Sequence, residues 1–160
     1  MFAERMELLS VRLVEADEDV ALITDDDSVY YFTSFYDYLH MDFGRPTLLV
    51  VVAKGESVLI TPTMEKDLAE SSAVVDRIEL WNDGLGNEWR EVLPGLLGNA
   101  ARVGIEPDLT PPTVRAYVDS IVDSKRYYDI TPIISDMRMI KSAKELQIAR
   151  HAGQVGIAMM

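Results

Sequence analysis

The sequence predicts an α/β domain built on a mixed central sheet of about five to six strands, with helices on its faces. Three observations carry this. Short apolar runs bounded by acids or glycine recur, as in V-A-L-I-T (20–24) and R-V-G-I-E (102–106). Between them lie stretches whose apolar residues return every three or four positions, the period of an amphipathic helix. Finally, T-L-L-V-V-V-A-K-G-E-S-V-L-I-T (47–61) reads as two strands turning back at Lys54-Gly55. With 160 residues, 48% of them hydrophobic, the chain has room for one domain, or one domain and a piece of the next.

In chain order, residues 2–16 carry Phe2, Met6, Leu9, Leu13 and Val14 at helical spacing, with charges between them. Residues 20–24 are a buried strand. Asp25-Asp26-Asp27 reads as a turn and cap rather than a metal site, because metal loops space their ligands. Residues 28–33, S-V-Y-Y-F-T, are β-branched and aromatic and predict a strand. A loop rich in large side chains follows, with Tyr36, Tyr38, Leu39, His40, Met41 and Phe43 ahead of Gly44-Arg45-Pro46. Loops run over surfaces, so such groups need a cover, either this domain or a partner.

The first hairpin strand is apolar on both faces, which predicts a central position. Thr61-Pro62 reads as cap and first residue of a helix running to about Ser72. Residues 74–81 alternate as a strand, 82–87 are a loop, and 88–97 are helical around Trp89, Val92, Leu93 and Leu96, with Pro94 as a kink. Thr110-Pro111 opens another helix through Val114, Tyr117, Val118 and Ile121. Residues 127–134 read as an extended edge segment interrupted by Pro132. Ser142-Ala143-Lys144-Glu145 fits a capping box, and the helix that follows gathers Val155, Ile157, Ala158 and Met159 at its far end. Apolar groups so placed predict a larger body continuing past this helix.

Composition narrows function. Fifteen Lys and Arg against 27 Asp and Glu give a net charge of −12, which disfavours nucleic acid as a partner. Arginine outnumbers lysine two to one, and an acid-rich, lysine-poor surface also suits a salt-loving host. No run approaches the roughly 18 apolar residues of a membrane span, and no secretory signal is visible. There is no cysteine, so disulfides, thiol catalysis and zinc–cysteine sites are excluded. The expected location is cytoplasmic.

Several of these pieces together resemble the amino-terminal domain of the creatinase, prolidase and aminopeptidase P family, the pita-bread metallohydrolases. D-D-S-V-Y-Y-F-T-S-F (26–35) is similar to the family's Asn-x-x-Tyr-Leu-Thr-Gly-Phe signature, with Phe32 and Ser34 replacing Leu and Gly. R-V-G-I-E is like its Gly-x-Glu strand. I-S-D-M-R-M-I-K-S-A-K-E-L (134–146) closely resembles its Leu-Arg-x-Ile-Lys-Ser-x-x-Glu junction. The resemblance covers essentially the whole chain. It implies a creatinase-type N-terminal domain over 1–140, and a junction with the first helix of a catalytic domain over 141–160.

The resemblance also implies where chemistry lies. The family's ligands, two Asp, one His and two Glu, belong to the catalytic domain, so no catalytic or metal residue is expected in this chain. Two divalent ions (Mn, Co or Zn) are implied there for a peptidase and none for a creatinase. Phe43-Gly44-Arg45 looks most like the creatinase branch, where such a loop reaches the neighbouring subunit's active site. Arg45 would then fork a substrate carboxylate, Phe43 would wall the pocket and Gly44 would allow the bend. His40 is a further candidate from the prolidase branch. The bland readings are an Arg45 paired with Asp37 or Asp42 and a structural His40. The expected partners are the catalytic domain, a second copy in a homodimer, and a small peptide or small carboxylated amide. A free-standing carboxylate-binding module and a purely structural dimerisation domain are the alternatives of another class.

Overall fold

The computed structural model describes residues 1–36, 46–82 and 88–159. Its centre is a six-stranded sheet of β1 (Val20–Ile23), β2 (Leu48–Val52), β3 (Ser57–Pro62), β4 (Arg77–Trp81), β5 (Val103–Ile105) and β6 (Tyr127–Asp129). The order across the sheet is β4-β3-β2-β1-β5-β6. β2 is antiparallel to both of its neighbours, and every other adjacent pair is parallel. Five strands therefore run one way and β2 alone runs the other. The expected mixed α/β fold is observed.

Strand periodicity divides the core in two. Ala21, Ile23, Leu49, Val51 and Leu59 face one side, where they meet α1 (Phe2–Glu15), α2 (Asp26–Thr33) and α6 (Thr131–Met139). Val20, Leu22, Leu48, Val50, Val58 and Ile60 face the other, where α4 (Trp89–Leu97) and α5 (Pro112–Ile121) cover them. This is why β2 is apolar on both faces: neither face sees water. α1 is docked by Met6, Leu9 and Leu13, one buried stripe at helical spacing. α3 (Lys66–Ser72) adds Ala69 to the first core.

Two local devices fit the helices to the sheet. Gly104 lies where a Cβ would come 2.4 Å from Ile130 Cγ2, so only glycine lets the entry to α6 pack this closely. Pro94 sits inside α4 and has no N–H for the Arg90 carbonyl. The Tyr117 hydroxyl of α5 donates to that carbonyl at 2.6 Å, so the lost rung is replaced from a neighbouring helix.

Four local expectations need correction. Residues 28–33 are not a strand but lie in α2. The Asp25 carboxylate accepts from the Ser28 N–H at 2.9 Å as a cap, and Asp26 and Asp27 complement the positive end of the helix dipole. Val29, Phe32 and Thr33, three and four apart, are buried, so tertiary burial at helical spacing overrides β propensity. Ser34 closes the helix with φ 69°, a left-handed conformation that favours the glycine usual in the family signature.

Thr61 and Pro62 belong to β3. The Thr61 hydroxyl bonds that of Thr47 at 3.0 Å instead of capping a helix, and a 3-10 turn (Thr63–Glu65) precedes α3. Thr110 turns its hydroxyl back to the Glu106 carbonyl, leaving Pro111 at the cap position of α5. Only 127–129 of the segment 127–134 are extended. Pro132 falls in the first turn of α6, where a missing N–H costs nothing, so it starts a helix there instead of breaking a strand.

The last helix, α7 (Ala143–Ala158), has the capping box the sequence predicts. Ser142 Oγ accepts from the Glu145 N–H, and the Glu145 carboxylate accepts from the Ser142 N–H. None of its residues is buried. No helix among the described residues is long and apolar enough to cross a membrane.

Candidate functional site

The carboxyl ends of β1, β3, β4, β5 and β6 share one edge of the sheet with the amino end of β2. After β1 the chain passes to α2 on one face, and after β5 to α5 on the other. Adjacent parallel strands whose connections part in this way form a crevice, the usual ligand position in open α/β sheets. Here the crevice is filled by polar side chains of the chain itself.

Glu106, directly after β5, is 2% exposed. Burial, with added repulsion from Asp25, pushes its carboxyl up to about 7; the Ser28 hydroxyl and the Arg138 guanidinium oppose the rise, and Asp129 adds to it. Its Oε2 has no hydrogen-bond partner among the described residues. Arg138 Nη1 donates to Ser28 Oγ at 3.1 Å and stands 3.6 Å from Asp25 Oδ2, while Nη2 is 3.8 Å from Asp27.

Toward β4 the same edge carries Thr63 and Asn82. The Thr63 hydroxyl donates to the Trp81 carbonyl at 3.0 Å and lies 3.3 Å from Asn82 Oδ1. The described chain resumes at this edge at Pro46 and leaves it at Asn82. His40, Phe43, Gly44 and Arg45 lie outside the described residues, as do Asp37 and Asp42.

A second feature is an open cleft of about 410 Å³ between α1, α2 and α7, walled by Phe2, Tyr30, Tyr31, Ile148 and Ala149. Arg5 fills its floor. It pairs with Glu145 at 2.7 Å, donates to the Tyr31 carbonyl at 2.8 Å and lies 3.9 Å over the Tyr31 ring. The Tyr31 hydroxyl donates to the Met137 carbonyl at 2.8 Å, and burial pushes its phenol upward. Burial alone would raise Glu145 as well, but hydrogen bonds from Ser142 and the charge of Arg5 hold it below the usual range. Arg5 thus joins α7 to the domain and is committed to protein groups. His151 is exposed on α7, away from this joint.

Chemically, the described residues buffer charge and fix helices. No three His, Asp or Glu among them gather closely enough to hold a metal ion. Sequence reading missed Glu106 as a buried group. Its one signal was a glutamate closing an apolar strand, and its burial comes from helices far away in sequence.

The chain matches the Creatinase/Prolidase N-terminal domain family over residues 5–140. A proline dipeptidase structure from Streptococcus pneumoniae is 25% identical, with a TM-score of 0.73, covering 85% of this chain and 98% of that one. The prolidase of Pyrococcus horikoshii is 19% identical, with a TM-score of 0.75, and the match covers 96% of this chain but 40% of that one. The Xaa-Pro dipeptidase of Bacillus anthracis is 20% identical, with a TM-score of 0.71, all of this chain matching 44% of that one. At such identities the latter two speak for the fold alone. Two faces of helices on a mixed sheet, a left-handed turn where the signature has glycine, and a family match over most of the length lead to one conclusion: this chain belongs to the creatinase/prolidase N-terminal domain family.

Proposed function

We propose that the chain is the non-catalytic amino-terminal part of a hydrolase that cuts C–N bonds, of the Xaa-Pro dipeptidase or aminopeptidase kind. In this reading it contributes to a homodimer and to the substrate pocket of the neighbouring subunit. The observation that carries it is α7. A capped 16-residue helix buries none of its side chains, and Ile140 and Ile157 beside and on it are 81% and 72% exposed. Such a surface suits a further domain packed on it. The proline dipeptidase structure from Streptococcus pneumoniae supports the substrate class, and the Xaa-Pro dipeptidase of Bacillus anthracis, more than twice as long, has room for such a domain beside the same fold.

The reaction then belongs to the further domain, which would carry two divalent ions if it is a peptidase. Those ions would activate water and steady the oxygens of the scissile amide. Arg45 would fork the carboxylate end of the substrate, Phe43 would wall the pocket and Gly44 would allow the bend, with His40 a further candidate. The Phe43-Gly44-Arg45 sequence favours one second reading, a creatinase-type hydrolase of a small carboxylated amide that works without metal. A cytoplasmic location fits both.

The test is to express the reading frame past residue 160 and assay it on Xaa-Pro dipeptides and on creatine, with manganese and after chelation. Metal-dependent release of proline is the expected result. Metal-free activity on creatine moves the assignment to the second reading, and a stop codon after residue 160 overturns both. Arg45→Ala should raise KM for a carboxylated substrate about tenfold or more, the loss of one charge-assisted contact. An unchanged KM removes the fork.

A further inference from the structure

Three hollows follow one another along one side of α1. The first, about 280 Å³, lies between Glu7 and Ser10 of the helix and Val74, Val75 and Asp76 of the link into β4. The second, about 270 Å³, lies between Glu7, Val11, Val14 and Glu15 of the helix and Ala53 beyond β2. The third, about 230 Å³, lies between Val14, Asp17 and Asp19 and the turn at Ala53-Lys54. Glu7 and Ser10 line both of the first two, and Val14 and Ala53 line both of the last two, so the hollows form one groove. It follows α1 over its whole length, about 20 Å at the rise of a helix. Its lining is apolar but uncovered: Val11 is 48% exposed, Val14 41% and Val74 39%. These are separate from Met6, Leu9 and Leu13, the stripe by which α1 is docked.

We propose that this groove receives an amphipathic helix of another protein, one whose apolar ridge is flanked by lysines or arginines. Successive hollows are centred about four residues apart along α1, about 6 Å, which is the spacing of side chains at i, i+4 and i+8 on a docked helix. The charge of the partner follows from the rim. Glu7, Asp76, Glu15, Asp17 and Asp19 line the groove against Lys54, the single cation among the described lining residues. Glu18, which also lines it, is neutralised by Arg102 at 3.0 Å. The carboxyl end of α1, with its negative dipole end, adds to this field beside the third hollow. Such a rim repels phosphate, so nucleic acid and anionic membranes do not fit, whereas a basic helix pairs its flanks with the acids. One wall is built to hold its shape, since the Asp76 carboxylate accepts from the Ser57 N–H at 2.8 Å and the Ser57 hydroxyl at 2.7 Å. The groove lies at the opposite edge of the sheet from Glu106 and shares no lining residue with the cleft beside α7. The inference therefore does not rest on the proposed function.

The test is an NMR titration of the 15N-labelled 160-residue chain with a synthetic helical peptide of about 14 residues, leucine at every fourth position between lysines. Amide shifts should move at residues 3–19, 52–57 and 74–76 and stay in place elsewhere. A peptide with glutamate for lysine, and one of the same composition in scrambled order, should each bind at least about tenfold more weakly. Val11→Glu adds a negative charge but interrupts the apolar floor. It should weaken binding about tenfold, where attraction between opposite charges alone would strengthen it. Glu7→Lys combined with Glu15→Lys should weaken binding by a similar factor and flatten its dependence on salt between about 50 and about 300 mM. All three side chains are exposed, so the variants keep the fold. Shifts scattered over the acidic surface, equal binding of the scrambled peptide, or unchanged affinity in Val11→Glu overturns the groove. Self-association of the chain that Val11→Glu abolishes, read by sedimentation, overturns it as well, because the groove then belongs to a second copy.

Discussion

α1 and α7 are two long helices at the ends of one chain, and they are held in opposite ways. α1 buries Met6, Leu9 and Leu13 in the sheet's first core and needs no side-chain cap. α7 buries nothing and is held by a capping box and the Arg5–Glu145 pair. The first is fixed by area removed from water, the second by a few polar contacts at one end. A helix held only by its tip keeps its apolar side chains available to another surface. The lesson is that helix length says little about whether a helix belongs to the domain beneath it.

The sharpest way to break this contrast is to cut into the buried side. Phe32→Ala, in the core shared by α1 and α2, should cost about 3–5 kcal/mol in urea unfolding, because its ring is wholly buried. A cost below about 1 kcal/mol would mean that this face is not a packed core.

Next comes the buried charge. Glu106 is raised from 4.5 to about 7 in the folded chain, so the fold holds this proton longer than the unfolded chain does. Its contribution is therefore full below pH 4.5, falls as pH rises to 7 and is flat beyond. The gap corresponds to about 3 kcal/mol. Glu106→Gln should match the parent near pH 4.5 and exceed it by about 3 kcal/mol at pH 8, compared by denaturant midpoints at each pH.

A smaller effect tests the close approach of β5 to the entry of α6. Gly104→Ala should cost about 1–3 kcal/mol through its clash with Ile130, read from the thermal midpoint. At the bottom of the scale, Ser142→Ala should loosen α7 by about 1 kcal/mol in amide exchange at its first turn. It should leave the global midpoint within about 0.5 kcal/mol. If it lowers the global midpoint as much as Phe32→Ala does, α7 is part of the domain after all and the contrast fails.

Legibility in the sequence followed the range of the forces involved. β1, the β2–β3 hairpin, α1 and the capping box of α7 could be read because their patterns lie within the segments themselves. Residues 28–33 could not, because V-Y-Y-F-T has the composition of a strand and only its packing at positions 29, 32 and 33 makes it a helix. The run of aspartates before it was the available hint: it reads as a turn, and it forms the cap and first turn of that helix. Pro132 was misjudged for a similar reason: a proline that breaks a strand also starts a helix, and position alone decides. Of the candidate site, the family resemblance supplied His40, Phe43, Gly44 and Arg45, while Glu106 needed the fold. Its burial depends on α2 and α6, elements far from it in the chain.

The reversed strand β2 has a consequence for how the chain comes together. β1, β2 and β3 form a continuous antiparallel meander that can pair once residue 62 has emerged. The other edge of β1 stays open until β5 arrives, and the bonds at its start join Asp19 to Ala101 and Arg102, 82 and 83 residues apart. Closing that loop is the slow, entropy-limited step of such a topology. During synthesis the chain therefore passes through a stage in which an apolar strand shows a bare edge, the state most open to pairing with the wrong chain.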